Sequence, residues 1–589
     1  MELQKSKHKQ SHQNTGPGVL ITQGQKYVWR MKEIDNVLVQ QVAQQNNLSF
    51  PVAQTLVKRD FLTSEQIQDF LFCSKEKDVP PAQKMKNINA AVERILQSIE
   101  NKEKILIFGD YDVDGITSTS LLLIGLLPLG ANINYFLPMR KDGYGLSSDA
   151  VQKAAAAGYK LIITVDNGIT AFEAAKTARN LGIDLVITDH HQPLVDLPDA
   201  LAIVNPNQHD CEYPYKELAG VGVTFKLVSL IYEVKNLQLP DKIYELLMLG
   251  TIADVTPLTG ESRYWVKYGL GKTNKQQSTA FTVLASNSNL IKKNYNSLDI
   301  GFMIAPQINA LGRLSDPRQA VRFLVSADTN EVSRIGQVLK EVNEERKKID
   351  RQIYEEIEYL IFSKKIDIQK ENIIVAASGN WPAGIIGLVA GKLTQNYGKP
   401  TFLFHLNKGI AAGSCRSIPE FNLFQALEKF QDILISFGGH TMAAGLKIKQ
   451  EKLALFKEKL EEEILLHVAA EDLAPKLDID GFVQLPELNK KLLYDLEQLE
   501  PFGNQNPQPL FLVKNVTQLQ TPQLLKDLHV KCTIFADGVI KPVIFFNRPE
   551  LYNVLQNQKD KPFDLVGYVI KNEWEGNIQI EMQGMDIAV

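Results

Sequence analysis

The segment KILIFGDYDVDG, residues 104–115, decides how the rest of the chain is read. Its first half is a short apolar run, as a strand buried on both faces requires. Its second half leaves that strand through Asp110, Asp112 and Asp114, three carboxylates at alternate positions, before Gly115 opens a helix near residues 116–127. The same unit recurs downstream. INYFLP (133–138), LIITVD (161–166), DLVITDHH (184–191) and LAIVNP (201–206) are further apolar runs, separated by helical segments near 148–157 and 171–181. Strand, helix and strand in alternation predict a mostly parallel sheet covered by helices, so the fold class is α/β.

In parallel α/β sheets the ligand crevice lies outside the carboxyl ends of the strands. Asp110, Asp166 and Asp189 each follow an apolar strand directly and should converge there despite their separation in sequence. One such Asp is more often a helix cap or a turn residue. Several at one edge, joined by His190 and His191 and by Asp254 at the end of LLMLGTIADV (246–255), need another reading. Buried carboxylates at this density repel one another unless cations lie between them. Oxygen ligands with one or two imidazoles suit Mn²⁺ or Mg²⁺ better than a structural zinc site, which favours thiolates. A pair of such ions activates water and stabilises the attacking and leaving oxygens of a phosphoryl displacement, so the pattern points to hydrolysis of a phosphate ester.

Outward from this core the domains follow. The 589 residues exceed what one core organises, and 44% hydrophobic with 22% charged residues describe an ordinary globular chain. By composition, residues 1–25 are expected to be an unstructured tail, and 26–100 a helical region without strand pattern, prefacing the first large domain at 101–325. A charged segment at 326–365, opened by Asp328, predicts a long helix between domains. IIVAAS (373–378) and TFLFH (401–405), around a helix near Gly384, predict a second α/β domain at 366–474. FLVKNV, VKCTIF, IKPVIFF, FDLVGYVI and NIQIEM then give the strand count of a five-stranded OB-like barrel at 475–589.

A formal charge of -4 gives no sign of a nucleic-acid binder, although an acidic metal cluster can mask a local basic groove. The four cysteines are widely spaced and form no CxxC pair, so neither a zinc site nor a disulfide framework is expected. The longest apolar stretch, 121–129, is broken by Gly125 and Pro128, and the polar N-terminus lacks an apolar signal segment; a cytoplasmic protein is expected.

GDYDVDG (109–115), VDNG (165–168), DHH (189–191) and ADV (253–255) together resemble the DHH phosphoesterase family. Within it the chain is most similar to the RecJ branch, through INALGR (308–313), GSCRS (413–417), GGHTMAAG (438–445) and EPFGNQNPQP (500–509). The resemblance implies a DHH domain, a DHH-associated domain and an OB-like nucleic-acid-binding domain. The activity it implies is 5′ to 3′ exonuclease on single-stranded DNA, with two Mn²⁺ or Mg²⁺ ions. It implies metal ligation by Asp112, Asp114, Asp166, His190 and Asp254, with Asp166 bridging both ions and Asp110 supporting the cluster. His191 would assist at the scissile phosphate. Arg313, Ser414 and Arg416 match the family's pocket for the 5′ phosphate, with Arg140 as a further backbone contact and His440 near the reacting phosphate. Single-stranded DNA is the implied partner, with a single-strand-binding protein and a helicase as companions.

Three aromatics, Phe511, Phe545 and Phe546, are candidate stacking platforms on the barrel, against the commoner role of inward core residues. Cys415 stands where the family has glycine, and is expected to narrow the phosphate pocket. Pro382 stands where many relatives have histidine. Two other functions fit parts of the pattern: a phosphodiesterase of the same superfamily acting on cyclic dinucleotides or short RNA, and a catalytically silent DNA-binding scaffold. The C-terminal β-rich domain argues against the first and the complete set of acids against the second.

Overall fold

The computed structural model describes residues 18–589, except 141, 142, 144, 560, 575 and 576. At its centre is a parallel five-stranded sheet in the order Asn132–Phe136, Lys104–Phe108, Tyr159–Val165, Asp184–Thr188, Ala202–Val204. The apolar runs feed two cores by strand alternation. Ile105, Ile107, Leu161, Ile163 and Val186 join one cluster, and Leu106, Phe108, Ile162, Leu185 and Ile187 the other. Both faces are therefore buried, and only the sheet's edges and strand ends are open to chemistry.

Asp328 caps a 34-residue helix, Thr329–Phe362, by accepting from Asn330 N–H. At 1.5 Å per residue this helix is about 50 Å long. Its first half, through Val332, Ile335 and Leu339, packs into the core of the parallel sheet, and its second half, through Ile353 and Ile357, packs against Ile385, Val389 and Leu393 of the next domain. That domain has a five-stranded sheet in the order Leu434–Gly439, Ala443–Lys449, Ile410–Arg416, Thr401–Asn407, Ile374–Ser378, in which only the last pair is parallel.

The C-terminal strands close into the expected barrel. Leu510–Gln518, Phe563–Trp574, Asn577–Ala588, Val539–Phe545 and His529–Ala536 pair in sequence around the ring, and the last returns to the first through Thr517 and Gln518. Among the described residues no helix is long and apolar enough to cross a membrane.

The first 100 residues depart from expectation. Of the anticipated tail, residues 1–17 lie outside the described residues, but Val19–Gln23, expected to be unstructured, is a strand antiparallel to Val28–Lys32, which was expected to be helical. The second of these strands pairs in parallel with Lys476–Asp478, some 450 residues on. Trp29 is buried and donates from Nε1 to Asp586 (3.1 Å), which also accepts from Tyr27 N–H (3.0 Å) and Arg548 Nη2 (3.0 Å). A five-residue alternation is too short to reveal a strand when its partner is so distant. Helices Asn36–Asn46, Phe50–Lys58 and Ser64–Leu71 likewise share their core with the barrel, Val39, Val52 and Leu56 packing with Leu492, Phe511 and Leu565. They belong with the C-terminal domain, whereas Ala82, Met85 and the helix Ile88–Glu100 pack on the parallel-sheet core, so the region does not act as one preface to it.

Candidate metal centre and phosphate pocket

The strand ends deliver their acids as the spacing predicts. Asp112 is the N-cap of Val113–Leu126 and accepts from Gly115 N–H at 3.1 Å. Asp114, the second residue of that helix, is fully buried and accepts from the N–H groups of Gly220 (2.6 Å) and Val221 (2.8 Å) at the start of the helix Gly220–Val234. The positive end of that helix stabilises a carboxylate there. Gly220 is required by space: a Cβ on it would lie 2.7 Å from Asp166 Cβ and 3.0 Å from Asp114 Oδ2. Asp166 takes the left-handed conformation (φ 60°), which Asp tolerates better than most residues, while its N–H donates to Thr188 O (3.1 Å).

His190 Nε2 lies 3.2 Å from Asp166 Oδ1, 3.8 Å from Asp254 Oδ2 and 3.9 Å from Asp114 Oδ2. Three overlapping groups have donor atoms within 4.8 Å of one another: Asp166, His190 and His191; Asp114, His190 and Asp254; Asp110, Asp112 and Asp166. Asp166 and His190 are each shared by two of them. Burial, then repulsion from Asp112, pushes Asp110 up to about 8 and Asp114 up to about 7. Burial and the neighbouring aspartates raise Asp166 and Asp254 well above the carboxylate range. His190 is pushed down to about 4 by burial and by His191, which leaves a neutral imidazole suited to metal ligation. Asp110 Oδ1 and His190 Nε2 are buried and make no hydrogen bond to the described residues. Carboxylates that repel one another, together with two buried polar atoms lacking partners, fit divalent cations such as Mn²⁺ or Mg²⁺.

Asp189 was legible as a strand-end acid but its job was not. It accepts from Ile169 N–H (2.9 Å), His190 N–H (2.8 Å) and His191 N–H (3.1 Å), and its Oδ1 is 2.7 Å from His191 Nδ1. It thereby orients the His191 imidazole and fixes the backbone that carries both histidines. Burial would raise Asp189 and lower His191, but their mutual hydrogen bond and the charges around them together outweigh it, so Asp189 falls and His191 rises. Asn205 and Asn207 were missed altogether: their Nδ2 atoms donate to His191 O (2.9 Å) and His190 O (2.6 Å), and NPN directly after Ala202–Val204 was the available signal.

The matched arginines gather beside the acids. Arg313 Nη1 donates to Gly384 O (2.8 Å), and Arg140 donates from Nε to Gly312 O (3.1 Å) while covering the Tyr111 ring at 4.4 Å. Arg416 donates to Cys415 O (2.8 Å). A Cβ at Gly387 would meet Ser414 Oγ at 2.6 Å and Arg416 Nη2 at 3.3 Å, so the helix Ala383–Tyr397 leaves space beside both. Burial lowers Arg313 to about 10, followed by repulsion from Arg140, Arg346 and Arg416, with Asp112 opposing. The cationic pocket thus abuts the metal centre. Arg346, from the connecting helix, escaped the sequence reading because one Arg in a charged helix looks solvated; it is half-buried, with Asp350 Oδ2 at 3.7 Å.

Cys415 corrects an expectation. It is wholly buried in the core beneath the strand, while Ser414 and Arg416 alternate onto the other face, so its side chain does not narrow the pocket. Pro382 is the N-cap of Ala383–Tyr397. His440 is exposed after Leu434–Gly439, its N–H donating to Ala443 O (2.8 Å), and it is not among the converging donor groups. Phe511 and Phe545 are core residues of the barrel; Phe546 is exposed, its ring 5.3 Å from His529.

The sheet, the second domain and the acidic cluster define a DHH-class phosphoesterase scaffold. Residues 104–251 match the DHH family N-terminal domain, 370–465 the DHHA1 domain and 479–586 the RecJ OB domain. The single-stranded-DNA-specific exonuclease RecJ of Bacillus subtilis is 36% identical over 96% of this chain and 71% of its own length. That of Salmonella typhimurium is 33% identical over 78% and 82%. The crystal structure of Thermus thermophilus RecJ in complex with Mn²⁺ superposes with a TM-score of 0.79 at 25% identity, covering 95% of this chain and 79% of that one. This chain belongs to the RecJ family.

Proposed function

We propose that this chain is a metal-dependent 5′ to 3′ exonuclease that degrades single-stranded DNA, releases 5′-mononucleotides and serves DNA repair and recombination. The observation that supports the reading is the juxtaposition of two patches of opposite sign, the acids around Asp166 and the arginines around Arg313, joined where Arg140 covers the ring of Tyr111 between Asp110 and Asp112. The names of the relatives support the substrate.

In this reading Asp112, Asp114, Asp166, His190 and Asp254 hold two Mn²⁺ or Mg²⁺ ions, with Asp110 supporting them. When bound, such ions supply water activation and charge neutralisation for phosphodiester displacement. Arg313, Ser414 and Arg416, with Arg140 and Arg346 around them, grip the terminal 5′ phosphate through charge-assisted hydrogen bonds. The scissile bond is then one nucleotide away from a fixed anchor, which sets both the polarity and the product length. Asp189 holds His191 Nδ1, which leaves Nε2 to exchange a proton at the reacting phosphate. His440 approaches the same phosphate from the second domain. The barrel holds the incoming strand, and Phe546 is the aromatic of the three with an exposed face for a base. A single-strand-binding protein and a helicase are the proposed companions.

The test is Mn²⁺-dependent product release from single strands labelled at the 5′ or 3′ end, beside blunt duplex and a cyclic dinucleotide. Early release of the 5′ label as mononucleotide supports the proposal. Hydrolysis of the dinucleotide alone would favour the small-substrate alternative, and tight binding of DNA without cleavage the silent scaffold.

A further inference from the structure

The motif EPFGNQNPQP is absorbed neither by the metal centre nor by the phosphate pocket, and it lies in the C-terminal half of the chain. Its backbone nevertheless reaches the strand of chain that carries Asp254. Asp254 ends the helix Lys242–Ala253, and the next residue, Val255, adopts a left-handed conformation (φ 57°). A β-branched residue there is strained, and such strain persists only where the surroundings over-determine it. Asn504 supplies the determinants. Its Nδ2 donates to Val255 O at 2.8 Å, and its backbone O accepts from Leu258 N–H at 2.9 Å, so a single residue spans the turn that follows Asp254.

The loop bearing Asn504 is itself held from several directions. Gly503 and Asn506 exchange backbone hydrogen bonds, and buried Asn506 donates from Nδ2 to Leu499 O and Pro501 O at 2.8 Å each. Arg59 donates to Asn506 Oδ1 (2.9 Å), Arg263 to Leu499 O (2.9 Å), and Ser297 Oγ to Phe502 O (2.6 Å). These anchors come from the N-terminal helices and from the first domain. The loop is therefore a rigid peg at the junction of the terminal domain and the first domain.

We propose that Asn504 is a positioning residue for the metal centre: through Val255 O it holds the strained turn that aims Asp254 at His190 and Asp114. The inference rests on the reading of Asp254 as a metal ligand. It makes metal affinity depend on the docking of the C-terminal domain, although none of that domain's described residues is among the converging donor groups.

The test is Mn²⁺ binding to the full-length chain, followed by the electron paramagnetic resonance signal of free Mn²⁺, with binding of single-stranded DNA in chelator as a second readout. Asn504 is exposed, so Asn504→Ala opens no cavity, and its unfolding temperature should match wild type. The expected result is Mn²⁺ binding weakened roughly ten-fold, in line with loss of a group that orients a ligand, with DNA binding in chelator unchanged. Asn504→Asp keeps the shape but replaces the N–H donor with an oxygen, and should fail as Ala does. Val255→Gly added to Asn504→Ala removes the left-handed strain and should recover part of the loss. Wild-type Mn²⁺ affinity in both Asn504 variants would overturn the proposal while leaving the metal centre intact. Absence of Mn²⁺ binding by wild type would overturn the metal reading itself.

Discussion

The two charged patches at the heart of this molecule are built in opposite ways. The acidic cluster is assembled largely by one sheet: Asp110, Asp166 and Asp189 follow three of its strands, and a helix N-terminus and a backbone turn hold Asp114 and Asp166. The arginine pocket draws on four separate places, with Arg140 and Arg313 from the first domain, Arg346 from the connecting helix and Arg416 from the second domain. The first patch rests mainly on the sheet, with Asp254 added from the end of the helix Lys242–Ala253. The second exists only while the two domains hold their spacing across the long helix. In the proposed reading, chemistry belongs with the acids and choice of DNA end with the arginines.

Removing a shared acid should have the largest effect. Asp166→Ala is expected to lower kcat/KM on single-stranded DNA by more than about 10³-fold. It should also abolish the rise of several degrees in unfolding temperature that Mn²⁺ gives the wild-type chain, since bound cations relieve repulsion present only in the folded state. Retained Mn²⁺ stabilisation in this variant would remove Asp166 from the metal centre. A smaller effect is expected at the pocket's periphery: Arg346→Ala should raise KM for 5′-phosphorylated strand by about ten-fold with kcat nearly intact. An equal loss of kcat would merge the two patches into one functional unit. Smallest of all is Cys415→Gly, expected to cost about 2 kcal/mol of stability through lost core packing and strand entropy while changing kcat/KM less than about two-fold. A large gain in DNA affinity there would mean that Cys415 reaches the pocket after all.

The same contrast explains what could be read from the chain. The parallel sheet, the connecting helix and the five barrel strands were legible because each depends on local periodicity, and the cluster acids were legible because strand ends in such sheets share one edge. Asp189 was visible as an acid but not as the residue that orients His191 and ties down the backbone of both histidines, because that depends on hydrogen bonds folded back from the loop beyond it. Arg346 was hidden within a charged helix most of whose ionic residues face solvent, Asp350 being a buried exception. The terminal assembly was the least legible part. Val28–Lys32 becomes a strand through Lys476–Asp478, and Trp29 is buried through Asp586, partners that no local window contains. Asn504 belongs to this class, since its only cue was a motif without an evident chemical group.

The most direct test of the division between chemistry and end recognition is to compare 5′-phosphorylated and 5′-hydroxyl single strands, with Mn²⁺, in wild type and Arg416→Ala. The account predicts that wild type prefers the phosphorylated end by roughly 10- to 100-fold in kcat/KM, and that Arg416→Ala erases most of this preference while its rate on the hydroxyl strand stays near wild type. Equal rates on the two strands by wild type, or a loss in Arg416→Ala that is the same for both, would contradict it.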